Sequence, residues 1–478
     1  MAQILSFPNE SSAATAVREA GVQERAPRVV QQLRETFRTG RTRPLSWRRT
    51  QLEALRRFLE VEEDAILAAL QRDLGKPRYE AVTGELSVVH GELTAALGSL
   101  ARWTRAESVS VPLVHQPGSA RIEREPLGVV LIIGPWNYPL QLLLAPLVSA
   151  IAAGNAAVLK PSEHAPASSD LLVDRLTHYL DPEAFAVFPG DAAASQALLA
   201  QRFDHIFFTG GGRVGRLVLL AAAEHLTPVT LELGGKSPAI VDASADIEVA
   251  ARRIAWGRFY NAGQTCVAPD YVLVERSVAS KLRAALERSL DRFYGEHPAE
   301  SPDFARIVNK AHLQRLRGLL EGVSVVRGGG VDEEGLFMEP TLVWNPPLDS
   351  ALMQEEIFGP ILPVIPVDSV DAALDIVANR PDPLSLYLFS RDAQAKERVR
   401  TATRSGALVF NDVIIHLTVS GLPFGGVGAS GMGRAHGRAG FETFTQQRSV
   451  MSRGTWFDPP VRYPPYTDRK LNLSRRLL

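Results

Sequence analysis

Apolar residues recur three and four positions apart through the first hundred residues, separated by Arg, Glu and Gln. That period predicts amphipathic helices over Val22–Phe37, Trp47–Arg57, Glu60–Leu70 and Glu85–Thr104. From Val109 to Glu123 β-type residues surround Pro117-Gly118, which predicts a hairpin. Beyond Pro126 short apolar runs alternate with helical stretches, the rhythm of a parallel sheet covered by helices. GVVLII, AAVLK, AFAVF, HIFFT and VTLEL read as strands. Leu140–Ala153, Ala167–Leu180 and Arg213–His225 read as the helices between them, the first with Pro139 in its opening turn. A second unit of this kind starts near Lys236, with PAIV, YVLVE, LSLYLF and GALVF as strands. Its helices are Asp246–Tyr260, Ser277–Tyr294 and Lys310–Leu320. The glycine-rich run LPFGGVGASGMGRAHGRAG that follows reads as a loop, and turn chemistry alone accounts for it.

One stretch invites a different reading. Leu127 to Leu159 contains no charged residue, long enough for a membrane span. Pro135, Pro139 and Pro146, with Asn137 and Asn155, break it into two short pieces, so a buried strand–turn–helix unit is expected and no membrane span. The apolar fraction of 45% and charged fraction of 22% are those of a soluble globular chain, and 478 residues suggest about three domain lengths. With 52 basic against 53 acidic residues, nothing favours nucleic acid or an anionic surface as partner. The N-terminus lacks a basic segment leading into an apolar run, so no secretory signal is expected. The terminal KLNLSRRLL is too charged and short for a tail anchor.

Cys266 is the only cysteine, which excludes an intramolecular disulfide and thiolate-rich metal sites and favours a reducing compartment, the cytoplasm. A solitary cysteine is more often a small inert hydrophobe. Its setting in NAGQTC, among Gly263, Gln264 and Thr265, is a polar loop and points to a nucleophile. Gly210-Gly-Gly-Arg-Val-Gly215 follows the strand HIFFT and opens a helix, a context that suits either a pyrophosphate on backbone N–H groups or a glycine-rich turn kept for packing only. Glu232 ends the strand of LELGGK; it is equally a strand-end acid that caps a turn or pairs with Lys236, or a desolvated general base. Asn137 in GPWNYP, between a strand and a helix, is a helix cap or one half of an oxyanion hole. Together these residues supply a thiol, an oxyanion donor, a base for water and a dinucleotide site in one chain.

The ordered series GPWNYP, LKPSE, FFTGGGRVG, LELGGKSP, NAGQTC, EEIFGP and LPFGGVGASGMG resembles the aldehyde dehydrogenases from roughly residue 25 to 450. FNDVIIH and GMGRAHG resemble the class 3 branch, which includes fatty and aromatic aldehyde dehydrogenases. The resemblance implies oxidation of medium- or long-chain aliphatic or aromatic aldehydes to acids with NAD or NADP. Cys266 is then the nucleophile, Glu232 the base for thioester hydrolysis and Asn137 the oxyanion donor. Lys160 and Glu163 take the ribose, Gly210, Val214 and Gly215 border the pyrophosphate and adenine, and Glu356 and Phe358 hold the nicotinamide ribose and ring. Tyr138, Trp256, Thr418 and His436 line the aldehyde pocket, although His436 is also readable as an ordinary surface histidine. Two alternatives differ in class: a coenzyme-A-acylating relative, and a catalytically silent relative that keeps only the fold.

The fold implied is α/β: a Rossmann-like cofactor domain over residues 20–106 and 124–231, a catalytic domain over 232–425, and an oligomerisation element from 107–123 and 426–452, followed by a tail over 453–478. A strand near Phe444–Ser449 would join a partner subunit in a homodimer.

Overall fold

The computed structural model describes residues 13–477. Residues 1–12, which carry much of the signal-peptide reading, and Leu478 at the end of the tail lie outside the described residues. The chain opens with helices Ala13–Arg38, Leu45–Val61 and Glu63–Leu74, close to the spans that periodicity predicts. The third stops where Gly75 turns left-handed (φ 55°) and its N–H bonds the Gln71 carbonyl, a glycine helix end. The expected helix from Glu85 is less regular. Arg78–Ala81 leads into a π-helical turn over Val82–Leu86, and only Ser87–Trp103 is α-helical. Such a bulge inserts an extra residue per turn and re-aims what it carries, here Glu85.

The first α/β unit is a six-stranded sheet in the order Gly431–Met432, Val229–Glu232, His205–Thr209, Val129–Ile133, Ala156–Lys160, Phe185–Val187. All pairings are parallel except that of Gly431–Met432, which runs antiparallel to Val229–Glu232. The strands VVLII, AAVLK and HIFFT are buried at every position, as expected of strands covered on both faces. The uncharged run resolves into Val129–Ile133 and a helix, Gln141–Ala153, whose Leu143, Leu147 and Ile151 belong to the same buried cluster as Phe441 and Phe444. Pro139 precedes that helix and does not form its first turn. Among the described residues no helix is long and apolar enough to cross a membrane.

The second unit is a seven-stranded sheet in the order Val325–Arg327, Thr341–Trp344, Ile361–Val367, Tyr271–Glu275, Pro238–Val241, Ser385–Phe389, Ala407–Phe410. Sequence pattern misses Ile361–Val367, because Pro363 and Pro366 each remove a ladder donor and normally argue against an inner strand. It is nevertheless central and almost wholly buried, paired in parallel on both sides.

The hairpin is Glu107–Val109 with Gly118–Pro126, and Thr445–Arg453 adds a third antiparallel strand alongside Gly118–Pro126, in register from Thr445↔Pro126 to Arg453↔Gly118. Within the segment expected to be an oligomerisation element, Gly431–Met432 extends the six-stranded sheet and Thr445–Arg453 pairs with Gly118–Pro126; among the described residues no strand pairs with the other edge of Thr445–Arg453.

Candidate active site

The nucleophile loop follows helix Ile247–Phe259, which Asp246 caps through the Val249 N–H. Asn261 (φ 55°), Ala262 (φ 50°) and Gly263 (φ 75°) are all left-handed, a run that turns the chain sharply into Cys266. At Gly263 a Cβ would stand 2.3 Å from the Gly359 carbonyl oxygen, so glycine is required there. Gln264 pins the loop from inside: its Nε2 donates to the Arg306 carbonyl at 2.9 Å, and its Oε1 accepts from Val308 N at 3.0 Å. Cys266 itself is partly exposed, at the floor of two cavities. Burial and the carboxylates of Glu356 and Glu232 push its thiol up to about 12, against the pull of the Cys266 and Val267 N–H groups on the sulfur. The sulfur therefore rests as a thiol.

Glu232 ends the strand Val229–Glu232, 5% exposed, and both its carboxylate oxygens are buried without a hydrogen-bond partner among the described residues. Neither the turn cap nor the pair with Lys236 forms. Lys236 instead donates to Asp270 and to the carbonyls of Leu352 (2.9 Å) and Glu355 (2.7 Å). Desolvation holds Glu232 well above the usual carboxylate range, only partly opposed by the Arg434 charge. An unpaired carboxylate with raised basicity is suited to accept a proton from water.

Asn137 is also not a helix cap. The first N–H groups of Gln141–Ala153 are taken by Glu85, whose Oε2 accepts from Leu140 N (3.2 Å) and Gln141 N (2.8 Å). The Asn137 amide instead donates to the Gln264 carbonyl at 2.9 Å, beside Cys266, and the side chain borders the same cleft as the thiol. An amide N–H beyond that bond and the Cys266 N–H are donors of the kind that can hold an oxyanion.

The cleft over Cys266 brings together Asn137, Gly210, Glu232, Glu356 and Phe358, five of the residues singled out from sequence. Phe358 (φ 53°) meets Trp136 edge-on at 5.4 Å. Glu356 accepts from Gly235 N at 3.0 Å; a Cβ at Gly234 would lie 2.1 Å from its carboxylate, so the glycine pair makes room for it. Burial and the Asp270 charge push its carboxyl up to about 7. Helix Gly212–Ala223 begins at the cleft with no side-chain cap, its N-terminus facing Gly210 and Gly211. A carboxylate for a diol, aromatic rings and uncapped N–H groups fit a nicotinamide dinucleotide. At Gly215 a Cβ would fall 2.9 Å from the tip of the Leu233 side chain, whereas at Gly212 a Cβ meets nothing within 4 Å. Val214 lies half-buried on the same helix. Lys160 and Glu163 stand apart from this cleft at the end of Ala156–Lys160, paired at 3.2 Å, and burial lowers the lysine.

His312 and Arg315 also face the cleft and were not foreseen. On the sequence they belong to an ordinary basic helix, Lys310–Leu319. In space His312 Nε2 bonds the Phe358 carbonyl at 2.7 Å and Arg315 donates to the Glu356 carbonyl at 3.3 Å, so they brace EEIFGP.

A second, mostly apolar cavity reaches Cys266 and Glu232 from the other side. Tyr138, Trp256, Thr418 and His436 all line it, with Tyr79, Tyr260 and Phe424. His436 is no surface histidine: it is 7% exposed and stacks on Phe424 at 5.0 Å. Tyr138 bonds Thr265 at 2.7 Å, fixing the wall next to the thiol.

A family model described as the aldehyde dehydrogenase family matches residues 7–450. Aldehyde dehydrogenase family 3 member A2 from Mus musculus is 46% identical over 453 residues, 94% of each chain. Family 3 member B1 from Homo sapiens is 47% identical over 446 residues, covering 93% of this chain and 95% of that one. A substrate-bound AldH from Staphylococcus aureus superposes with a TM-score of 0.92 at 44% identity, over 95% of this chain and 99% of that one. An aldehyde dehydrogenase from Mycobacterium tuberculosis complexed with NAD+ superposes with a TM-score of 0.81 at 29% identity, over 90% of each chain. The chain belongs to the aldehyde dehydrogenase family, as an NAD(P)-dependent oxidoreductase acting on aldehydes.

Proposed function

We propose that Cys266, Asn137 and Glu232 carry out this oxidation, and that its substrates are medium- to long-chain aliphatic or aromatic aldehydes released as carboxylic acids. The observation that carries the reading is that Cys266 and Glu232 line both cavities, the cleft beside Glu356 and Phe358 and the apolar cavity beside Trp256. An aldehyde entering along Tyr79, Trp256 and Tyr260 presents its carbonyl carbon to the thiol. As the Cys266 proton passes to solvent water in the cavity, the sulfur adds to that carbon, and the Asn137 amide and Cys266 N–H take the oxyanion. A nicotinamide held over Cys266 by Glu356 and Phe358 would supply the hydride acceptor for that carbon. Collapse leaves an acyl thioester on Cys266. Glu232 then removes a proton from water, the oxygen adds to the acyl carbon, and the C–S bond breaks to free the acid and restore the thiol.

Glu356 and Phe358 would hold the nicotinamide ribose and ring. Gly210, Val214 and Gly215 would border the pyrophosphate and adenine, and Lys160 and Glu163 the other ribose. Residues 20–106 and 124–231 would then serve cofactor binding, and 232–425 catalysis. A base beside the thiol favours hydrolysis over transfer to coenzyme A. The edges of Thr445–Arg453 and Ala407–Phe410 that pair with no strand among the described residues support a homodimer in which each strand extends a partner's sheet. A reducing compartment, the cytoplasm, suits the single thiol.

The test is reduced-cofactor formation with NAD and NADP separately, over linear and aromatic aldehydes of graded size, with the product identified. Turnover rising with apolar length or a ring, and acid as product, is expected. A thioester formed only with added coenzyme A would overturn the hydrolytic reading. Sedimentation of the purified protein should give a dimer.

A further inference from the structure

A buried ion pair lies behind Asn137. Lys76 and Glu85 have no exposed side-chain surface, and their Nζ and Oε1 atoms are 2.8 Å apart. The left-handed Gly75 turns Lys76 inward, and the π-turn Val82–Leu86 carries Glu85 to meet it. Lys76 Nζ also donates to the Asn137 carbonyl at 3.0 Å and lies 4.1 Å from the centre of the Tyr138 ring. Glu85 spends its second oxygen on the N–H groups of Leu140 and Gln141. The pair thus grips both ends of residues 137–141. Asn261 completes the clamp, its Nδ2 donating to the Asn137 carbonyl at 3.0 Å and to the Gln264 carbonyl at 3.2 Å.

Stability is a poor explanation for such a pair. Desolvating two charges offsets most of their attraction, and apolar residues of similar volume are often as stable or more so. The pair's effect is geometric: it sets the backbone from which the Asn137 amide projects, where displacements of about 0.5 Å matter. We propose that Lys76 and Glu85 are positioning residues for the oxyanion-holding amide of Asn137, acting through its backbone without touching substrate. This rests on the reading of Asn137 given above.

The experiment compares the wild type, Asn137→Ala, the double variant Lys76→Met/Glu85→Leu, and the triple variant combining them. Melting temperature, dinucleotide Kd, kcat and KM are measured for each. The double variant is expected to fold and bind dinucleotide within about threefold of the wild type, while kcat falls about tenfold or more with KM little changed, part of the roughly 10²-fold that an oxyanion donor supplies. The triple variant should be no more than about threefold slower than Asn137→Ala, because both changes disable one device. Unchanged kcat in the folded double variant, or losses that multiply in the triple, would overturn the proposal. If Asn137→Ala itself kept full kcat, the oxyanion reading would fail instead. Should the double variant not fold, Glu85→Gln is put through the same comparison with the same two deciding outcomes.

Discussion

The Asn137 amide bonds the carbonyl of Gln264 across 127 residues of sequence, at 2.9 Å, and so joins the turn after Val129–Ile133 to the loop that carries Cys266. The two residues proposed to hold the oxyanion, Asn137 and Cys266, come one from each α/β unit and are tied by this bond and by Asn261, which donates to the Asn137 and Gln264 carbonyls. Catalysis therefore depends on how the two units are docked, and substitutions in either should register at the same chemical step.

Replacing Cys266 by Ala should abolish aldehyde oxidation, leaving less than about 10⁻³ of wild-type turnover, with dinucleotide Kd nearly unchanged. Turnover in a contaminant-free preparation would remove the sulfur from the mechanism. Cofactor titration by fluorescence quenching checks the second half.

Glu232→Gln should show a burst of reduced cofactor followed by slow steady turnover, because the thioester forms but water is not activated. Glu232 works as a base only when deprotonated, and burial raises its pKa. Wild-type steady turnover limited by hydrolysis should therefore climb with pH above the ordinary carboxylate range, and that limb should vanish in the variant. Equal loss of burst and turnover would place Glu232 before hydride transfer.

The thiol pushed up to about 12 gives its own signature. In cofactor-free protein, alkylation of Cys266 by iodoacetamide should speed up about tenfold per pH unit from pH 7 to 9 without a plateau. A plateau near neutrality would mean a resting thiolate.

Glu92 accepts from Gly437 N at 2.7 Å in an apolar setting, and burial pushes it up to about 7. Its folded pKa lies above the unfolded value of 4.5, so its contribution is full at low pH and is lost as pH rises through about 7. Glu92→Gln, which keeps an acceptor for Gly437, should match the wild type near pH 5 and exceed it at pH 8.5 by on the order of 3 kcal/mol. Melting curves at the two pH values decide it; an offset independent of pH would sink the idea.

Trp256 packs edge-on against Tyr260 at 5.6 Å in the wall of the apolar cavity. Trp256→Ala should widen the cavity and lower kcat/KM for small aldehydes relative to bulky ones by about tenfold, the discrimination expected of apolar packing. A uniform fall for all sizes would mean that the ring is not a specificity wall.

Local signals carried much of this protein. The alternation of apolar runs with helical stretches and the polar setting of Cys266 are legible because strand pleat, helix period and turn chemistry act over a few residues. Ile361–Val367 escaped, since its prolines break the local rule and only burial between two neighbours makes it a strand. The choices left open at Glu232 and Asn137 were likewise not local. They turned on where Lys236 and Glu85 spend their hydrogen bonds, on Asp270 and on the start of Gln141–Ala153. Which buried charge finds a partner is a property of packing across distant segments, so tertiary structure alone left Glu232 unpaired and brought His312, Arg315 and Lys76 to the site.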